Sequence, residues 1–197
     1  MAAVPWSSCG LAEPSWRLDT LQHCSLAIAA YPRFRYDARG GGAEGVVVAG
    51  SNPGSLSLCL ANSVRIPALD WRSTRFLGLP LPPGLTIEIL PDRLEGELKP
   101  QSGEVRLQFQ ARFRFQLQLG SQPIYTAPDL HVHTELRTDA VVGTRHRGLG
   151  EPIGPSGEAR LVGVAVIAPS GSAWLDRFLG LPDEALAELH CRFEVSA

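Results

Sequence analysis

The chain reads as an all-β, mainly antiparallel fold, a curled β-barrel or β-sandwich with two short helices at strand connections. Three observations predict it. From Cys24 onward, strand-like runs alternate with Gly/Pro turns at short intervals, the pattern of a sandwich or barrel. Residues 104–119 hold a strict alternation of apolar and polar side chains. The hexapeptide Arg-Phe-Leu-Gly-Leu-Pro occurs twice, at 75–80 and 177–182, each time just after a tryptophan, Trp71 and Trp174.

Residues 1–22, mixed and rich in small side chains, read as an N-terminal tail or edge extension, and residues 23–197 as a single β domain. Candidate strands are 24–37, 44–49, 55–61, 63–68, 84–90, 93–98, 104–119, 124–138, 159–168 and 186–196, a set expected to overcount the true strands. Between them, each hexapeptide reads as the end of a two-turn helix. Gly78 and Gly180 supply the left-handed residue past the last turn, and Pro80 and Pro182 block continuation. Leu79 and Leu181 are expected to fold back onto that turn. Asp70 and Ser172 stand where N-caps belong. Helices this short need tertiary packing, so the apolar faces with Trp71 and Phe76, or Trp174 and Phe178, must either dock on the sheet or face a partner.

In 104–119 the apolar set runs Val105, Leu107, Phe109, Ala111, Phe113, Phe115, Leu117 and Leu119, with Glu, Arg and Gln between. One face is on a core and the other in water. At about 3.3 Å per residue such a strand spans roughly 50 Å, so it must coil or bend, which suits a half-rolled sheet around an apolar interior. The next segment alternates Leu130, Val132, Thr134 and Leu136 with His131, His133 and Glu135. Keeping apolar opposite apolar places Arg112 opposite His131 and Arg114 opposite Asp129. The turn at 99–103 likewise sets Glu97 opposite Arg106, giving a three-stranded meander.

Composition narrows the function classes. With 44% hydrophobic and 19% charged residues, 20 Gly and 16 Pro, the chain is globular and turn-rich. A net charge of −2 gives no general attraction for nucleic acid. In Ala111–Phe115 the rings lie opposite the arginines, so stacking and charge cannot act together on one strand of nucleic acid. The four cysteines (Cys9, Cys24, Cys59, Cys191) lack a paired spacing and read as free thiols in a reducing, cytoplasmic setting. No run approaches the roughly 18 apolar residues of a transmembrane helix, which is compatible with peripheral membrane contact.

Motifs for chemistry are few. His131, His133 and Glu135 would project from one strand face and are the one metal-ligand candidate, opposed by the neighbouring arginines. Arg145, His146 and Arg147, in a Gly-rich loop, are an anion-binding candidate. There is no Gly-x-Ser-x-Gly elbow, P-loop or dinucleotide fingerprint, and no cofactor is implied. The expectation is a non-enzymatic β-scaffold. It holds an apolar ligand such as a lipid or pigment on the inner face of Phe109, Phe113 and Phe115, or docks a protein partner or membrane surface through Trp71, Phe76, Trp174 and Phe178. The alternative is a metal-dependent enzyme using the His-x-His-x-Glu face.

Overall fold

The computed structural model describes residues 14–60, 64–120 and 122–196. The first elements are β1 (Ser15–Thr20), β2 (Cys24–Ile28), β3 (Phe34–Tyr36), β4 (Gly42–Ala49), β5 (Leu56–Leu60), β6 (Thr74–Phe76) and β7 (Leu79–Pro80). The long meander is β8 (Leu85–Lys99), β9 (Glu104–Leu119), β10 (Gln122–Thr126) and β11 (Leu130–Arg137). The chain ends with β12 (Ala140–Val142), β13 (Arg147–Leu149), β14 (Glu158–Ile167), α1 (Ala173–Leu179) and β15 (Asp183–Ser196). Fifteen strands among the described residues exceed the ten candidates, which corrects the expected overcount, because long candidates such as 24–37 and 124–138 break at turns into two strands each.

All pairings are antiparallel, and eight strands pair in a circuit. From β1 the hydrogen bonding runs through β4, β5, β8, β9, β11, β14 and β15, and β15 pairs again with β1. β1 falls within the stretch expected as a tail or edge extension, yet both its edges are used: Leu18 faces Ala43 of β4 and Phe193 of β15. Its residues alternate, with Trp16, Leu18 and Thr20 buried. Trp16 lies against Gly45 and donates its indole N–H to the Cys59 carbonyl at 3.1 Å. A Cβ at Gly45 would stand 1.9 Å from that carbonyl oxygen, so only glycine lets the two strands and the ring approach. β2 continues along the same edge of β15 and carries β3, β6 and β7 outward from the circuit.

β9 has the expected bounds, and its register matches the alternation argument. His131 pairs with Arg112, Glu97 pairs with Arg106, and Arg114 grips Asp129 with two 2.9 Å bonds. The candidates 84–90 and 93–98 are one strand, β8, with a bulge between Pro91 and Arg93. One extra residue there moves the inward set from odd numbers, Ile87 and Ile89, to even ones, Leu94 and Leu98, which is why it reads as two strands. Of the candidate 63–68, residue 63 lies outside the described residues, and the rest contributes only an isolated bridge at Arg65, followed by one at Leu69 just past it.

The two hexapeptides adopt different structures. Residues 173–179 form the expected helix, with Gly180 left-handed at φ 72° and the Leu181 amide bonded to the Asp176 carbonyl at 2.8 Å. Ser172 takes the N-cap position without a side-chain cap bond. The first copy is a β-hairpin, and the second expected helix is absent. Asp70 does accept the Arg72 and Ser73 amides at 2.8 and 2.9 Å, but that turn gives way at Thr74 to β6. Leu77 and Gly78, at φ 52° and 82°, form the two-residue turn to β7. The cause is tertiary. The free edge of β3 recruits Thr74–Phe76, and Phe76 stacks on Phe34 at 4.5 Å. Near Arg177 both edges of β15 are already taken by β14 and β2, so the segment keeps its local helix and buries Leu175 and Leu179.

Candidate functional site

The inward residues of β9 form one wall of the interior. Phe109 is buried, while Phe113 and Phe115 face inward but are only half-buried, because the wall opposite is made of small side chains. On β14 and β15 the cross-strand pairs are Gly163 with Ala187 and Ala165 with Ala185. Where phenylalanine faces glycine and alanine across a sheet interior, the side chains do not meet. A cavity of about 110 Å³ results, lined by these residues and by others from β2, β11 and α1. A second cavity of about 60 Å³ lies against it, towards β1 and β4, and Leu26, Phe109, Phe113 and Ala187 border both.

The larger cavity offers almost no polarity. Among the described residues Thr134 is its one hydroxyl-bearing lining residue, and Oγ1 donates to the Val164 carbonyl at 2.9 Å. A water molecule needs two to four polar partners to stay in a buried site. The wall therefore suits an apolar occupant. Leu175 and Leu179 of α1 reach into the apolar cluster at this end, where β9 and β14 finish and β8, β11 and β15 begin. This is the upper end of the circuit.

The other face of α1 belongs to an aromatic arc around the same end. Its ring contacts run from Tyr125 to Trp174 (5.5 Å), Phe178 (6.3 Å), Tyr31 (6.1 Å) and Phe76 (6.3 Å), and on to Phe34. The Trp174 indole donates to the Tyr125 hydroxyl at 2.8 Å, and the Tyr31 hydroxyl donates to the Phe178 carbonyl. The two hexapeptides thus meet at Tyr31, each through its phenylalanine. Trp71 lies apart from this chain of rings, about half exposed, with the Arg72 guanidinium 5.1 Å from its ring centre. The small-residue wall and the residues Tyr31, Phe34 and Tyr125 escape sequence motifs; the glycine and alanines at alternate positions of 163–165 and 185–187 were the available signal for a hollow.

The remaining candidates lie elsewhere. His131, His133 and Glu135 sit on the outer face of β11, where Glu135 is held by Gln108 at 3.2 Å and Arg137 at 3.1 Å. No group of three or more His, Cys, Asp or Glu among the described residues is spaced to hold a metal ion. In the loop between β12 and β13, the amides of Thr144, Arg145 and His146 converge on the Glu184 carboxylate at 2.6, 2.7 and 3.1 Å. Those bonds hold Glu184 down to a pKa of about 2. Arg145 pairs with Asp183 at 2.9 Å, and Arg147 lies in β13. The anion seat that the loop builds is filled by the chain's own carboxylate.

Cys24 and Cys191 are buried thiols and Cys59 is exposed, while Cys9 lies outside the described residues. Burial pushes Cys24 up to about 11 and raises Cys191 as well. Among the described residues no helix is long and apolar enough to cross a membrane. Comparison with protein-family models, curated proteins and solved structures finds no match for this chain.

Proposed function

We propose that the protein is a non-enzymatic binding protein whose eight-strand circuit acts as a β-barrel around an apolar small molecule. The observation that supports this most is the cavity of about 110 Å³ whose only hydroxyl among the described residues is internally bonded. Small barrels either fill their interior with side chains or hold one ligand. Here the Gly163–Ala187 and Ala165–Ala185 pairs leave room that the facing phenylalanines do not use. An apolar cavity of about 150 Å³ accommodates a benzene-sized guest. The larger cavity alone suits a ring or short branched fragment. Phe113 borders both cavities, so an occupant longer than a ring would have to displace that side chain to reach the smaller one.

The test is direct. Protein purified without detergent is extracted into organic solvent for mass spectrometry, and the extracted protein is titrated with an apolar fluorescent dye. A co-purified apolar compound or saturable one-to-one dye binding is the expected result. Neither one appearing would overturn the reading.

A further inference from the structure

Large apolar side chains that meet water are not spread evenly over this molecule. Nine of them, Trp71, Leu77, Leu79, Leu117, Leu119, Ile124, Tyr125, Trp174 and Phe178, stand on the turns and strand ends that gather at the upper end. Several are extreme. Leu77 at the tip of the β6–β7 turn is 69% exposed and Leu119 at the end of β9 is 75% exposed. A helix in water normally hides one face only. α1 buries Leu175 and Leu179 and still presents Trp174 and Phe178 outward at more than half exposure.

Charges at this end differ in how they are engaged. Arg72 and Arg177 are exposed beside these residues and form no ion pair with the described residues, whereas Arg75 turns its guanidinium onto the Trp71 and Thr74 carbonyls at 3.0 and 3.1 Å. The acids at this end are engaged within the chain: Asp129 pairs with Arg114, Asp183 pairs with Arg145, Glu184 accepts loop amides, and Asp70 and Asp176 do likewise. Asp70 accepts the Arg72 and Ser73 amides, and Asp176 accepts the Ser170 amide and hydroxyl at 2.7 and 2.6 Å. The stretch 117–128 carries no charge at all. Arg72 and Arg177 are thus exposed cations without an ion pair among the described residues, each close in sequence to an exposed tryptophan, in a chain of net charge −2.

We infer that the upper end docks on the surface of an anionic lipid bilayer. Tryptophan and tyrosine rings with one apolar and one hydrogen-bonding side settle at the headgroup level, exposed leucines on turn tips enter the acyl boundary, and arginines engage lipid phosphates. The arc is continuous with the cavity through Phe34 and through Leu179 beside Phe178, so the docked face and the apolar interior adjoin. The inference draws on surface residues, so it is testable apart from the ligand reading.

Co-sedimentation with vesicles of phosphatidylcholine containing 30% phosphatidylserine tests it, beside pure phosphatidylcholine vesicles. Two variants leave the core untouched. Leu77→Asn with Leu119→Ser removes two exposed leucines, and asparagine suits the positive φ of residue 77. The double variant Arg72→Gln, Arg177→Gln removes their charge and leaves Arg75, which braces the 71–74 turn, in place. The wild type is expected to pellet with the anionic vesicles. Affinity should fall about fivefold for each arginine removed and about tenfold or more for the leucine pair, with unchanged melting curves and unchanged dye binding. No pelleting, or equal pelleting of all forms, overturns the inference. So does concentration-dependent self-association abolished by Leu77→Asn, which would make the patch a contact between copies. Dye binding on the same samples reports the cavity separately.

Discussion

Replacing Ala187 by leucine distinguishes a hollow interior from a filled one by the sign of a stability change. Ala187 points inward, borders both cavities and is paired on β14 with Gly163, which has no side chain to displace. Leucine adds three carbon groups, and burying each stabilises by about 0.8 kcal/mol, or about 2.4 kcal/mol in all. Ordering the leucine side chain offsets about 0.5–1 kcal/mol of this. The net gain is about 1.5 kcal/mol, which raises the melting temperature of a chain this size by about 3–6 °C. In a close-packed core the same change costs about 1–3 kcal/mol through forced rotamers and backbone shifts. Urea unfolding of the ligand-free protein, with the slope checked for two-state behaviour, reads the difference. Dye affinity measured alongside should drop at least about tenfold, 1.4 kcal/mol. A destabilised variant with unchanged dye binding would refute the cavity argument.

Other outcomes follow from single groups. Gly78→Ala should cost about 1 kcal/mol from its φ of 82°, with open space around the added carbon, and Gly78→Asn should cost less; chemical denaturation midpoints report both. Glu184 has its pKa depressed by backbone amides, so its contribution is complete above the ordinary glutamate value near 4.3 and is lost as pH falls towards about 2. The stability difference between wild type and Glu184→Gln should therefore shrink from pH 5 to pH 2, and a constant difference would reject this role. Maleimide labelling mapped by peptide mass should find Cys59 modified in the native protein, with Cys24 and Cys191 modified only on unfolding. Dialysis against a chelator should leave the melting temperature unchanged, since Glu135 is already engaged by Arg137 and Gln108.

Local alternation determined much of this molecule. A period of two defines β9, and keeping apolar residues opposite one another places His131 against Arg112 and Arg106 against Glu97. The glycine and proline after Leu179 likewise suffice to end α1. These follow from the pattern of side chains along the sequence, although the same Gly-Leu-Pro at 78–80 closes a hairpin instead of a helix. What only the tertiary structure decided is where a segment finds an unoccupied partner. Identical Arg-Phe-Leu-Gly-Leu-Pro segments part ways because β3 has an open edge for Phe76, whereas β15 offers none to Phe178. β1 changes from an expected edge to the link that completes the eight-strand circuit for the same reason. The cavity arises one level further on, because a void is a relation between walls: the phenylalanines of β9 and the glycine and alanines of β14 and β15 are unremarkable separately, and leave space only when the sheet sets them face to face.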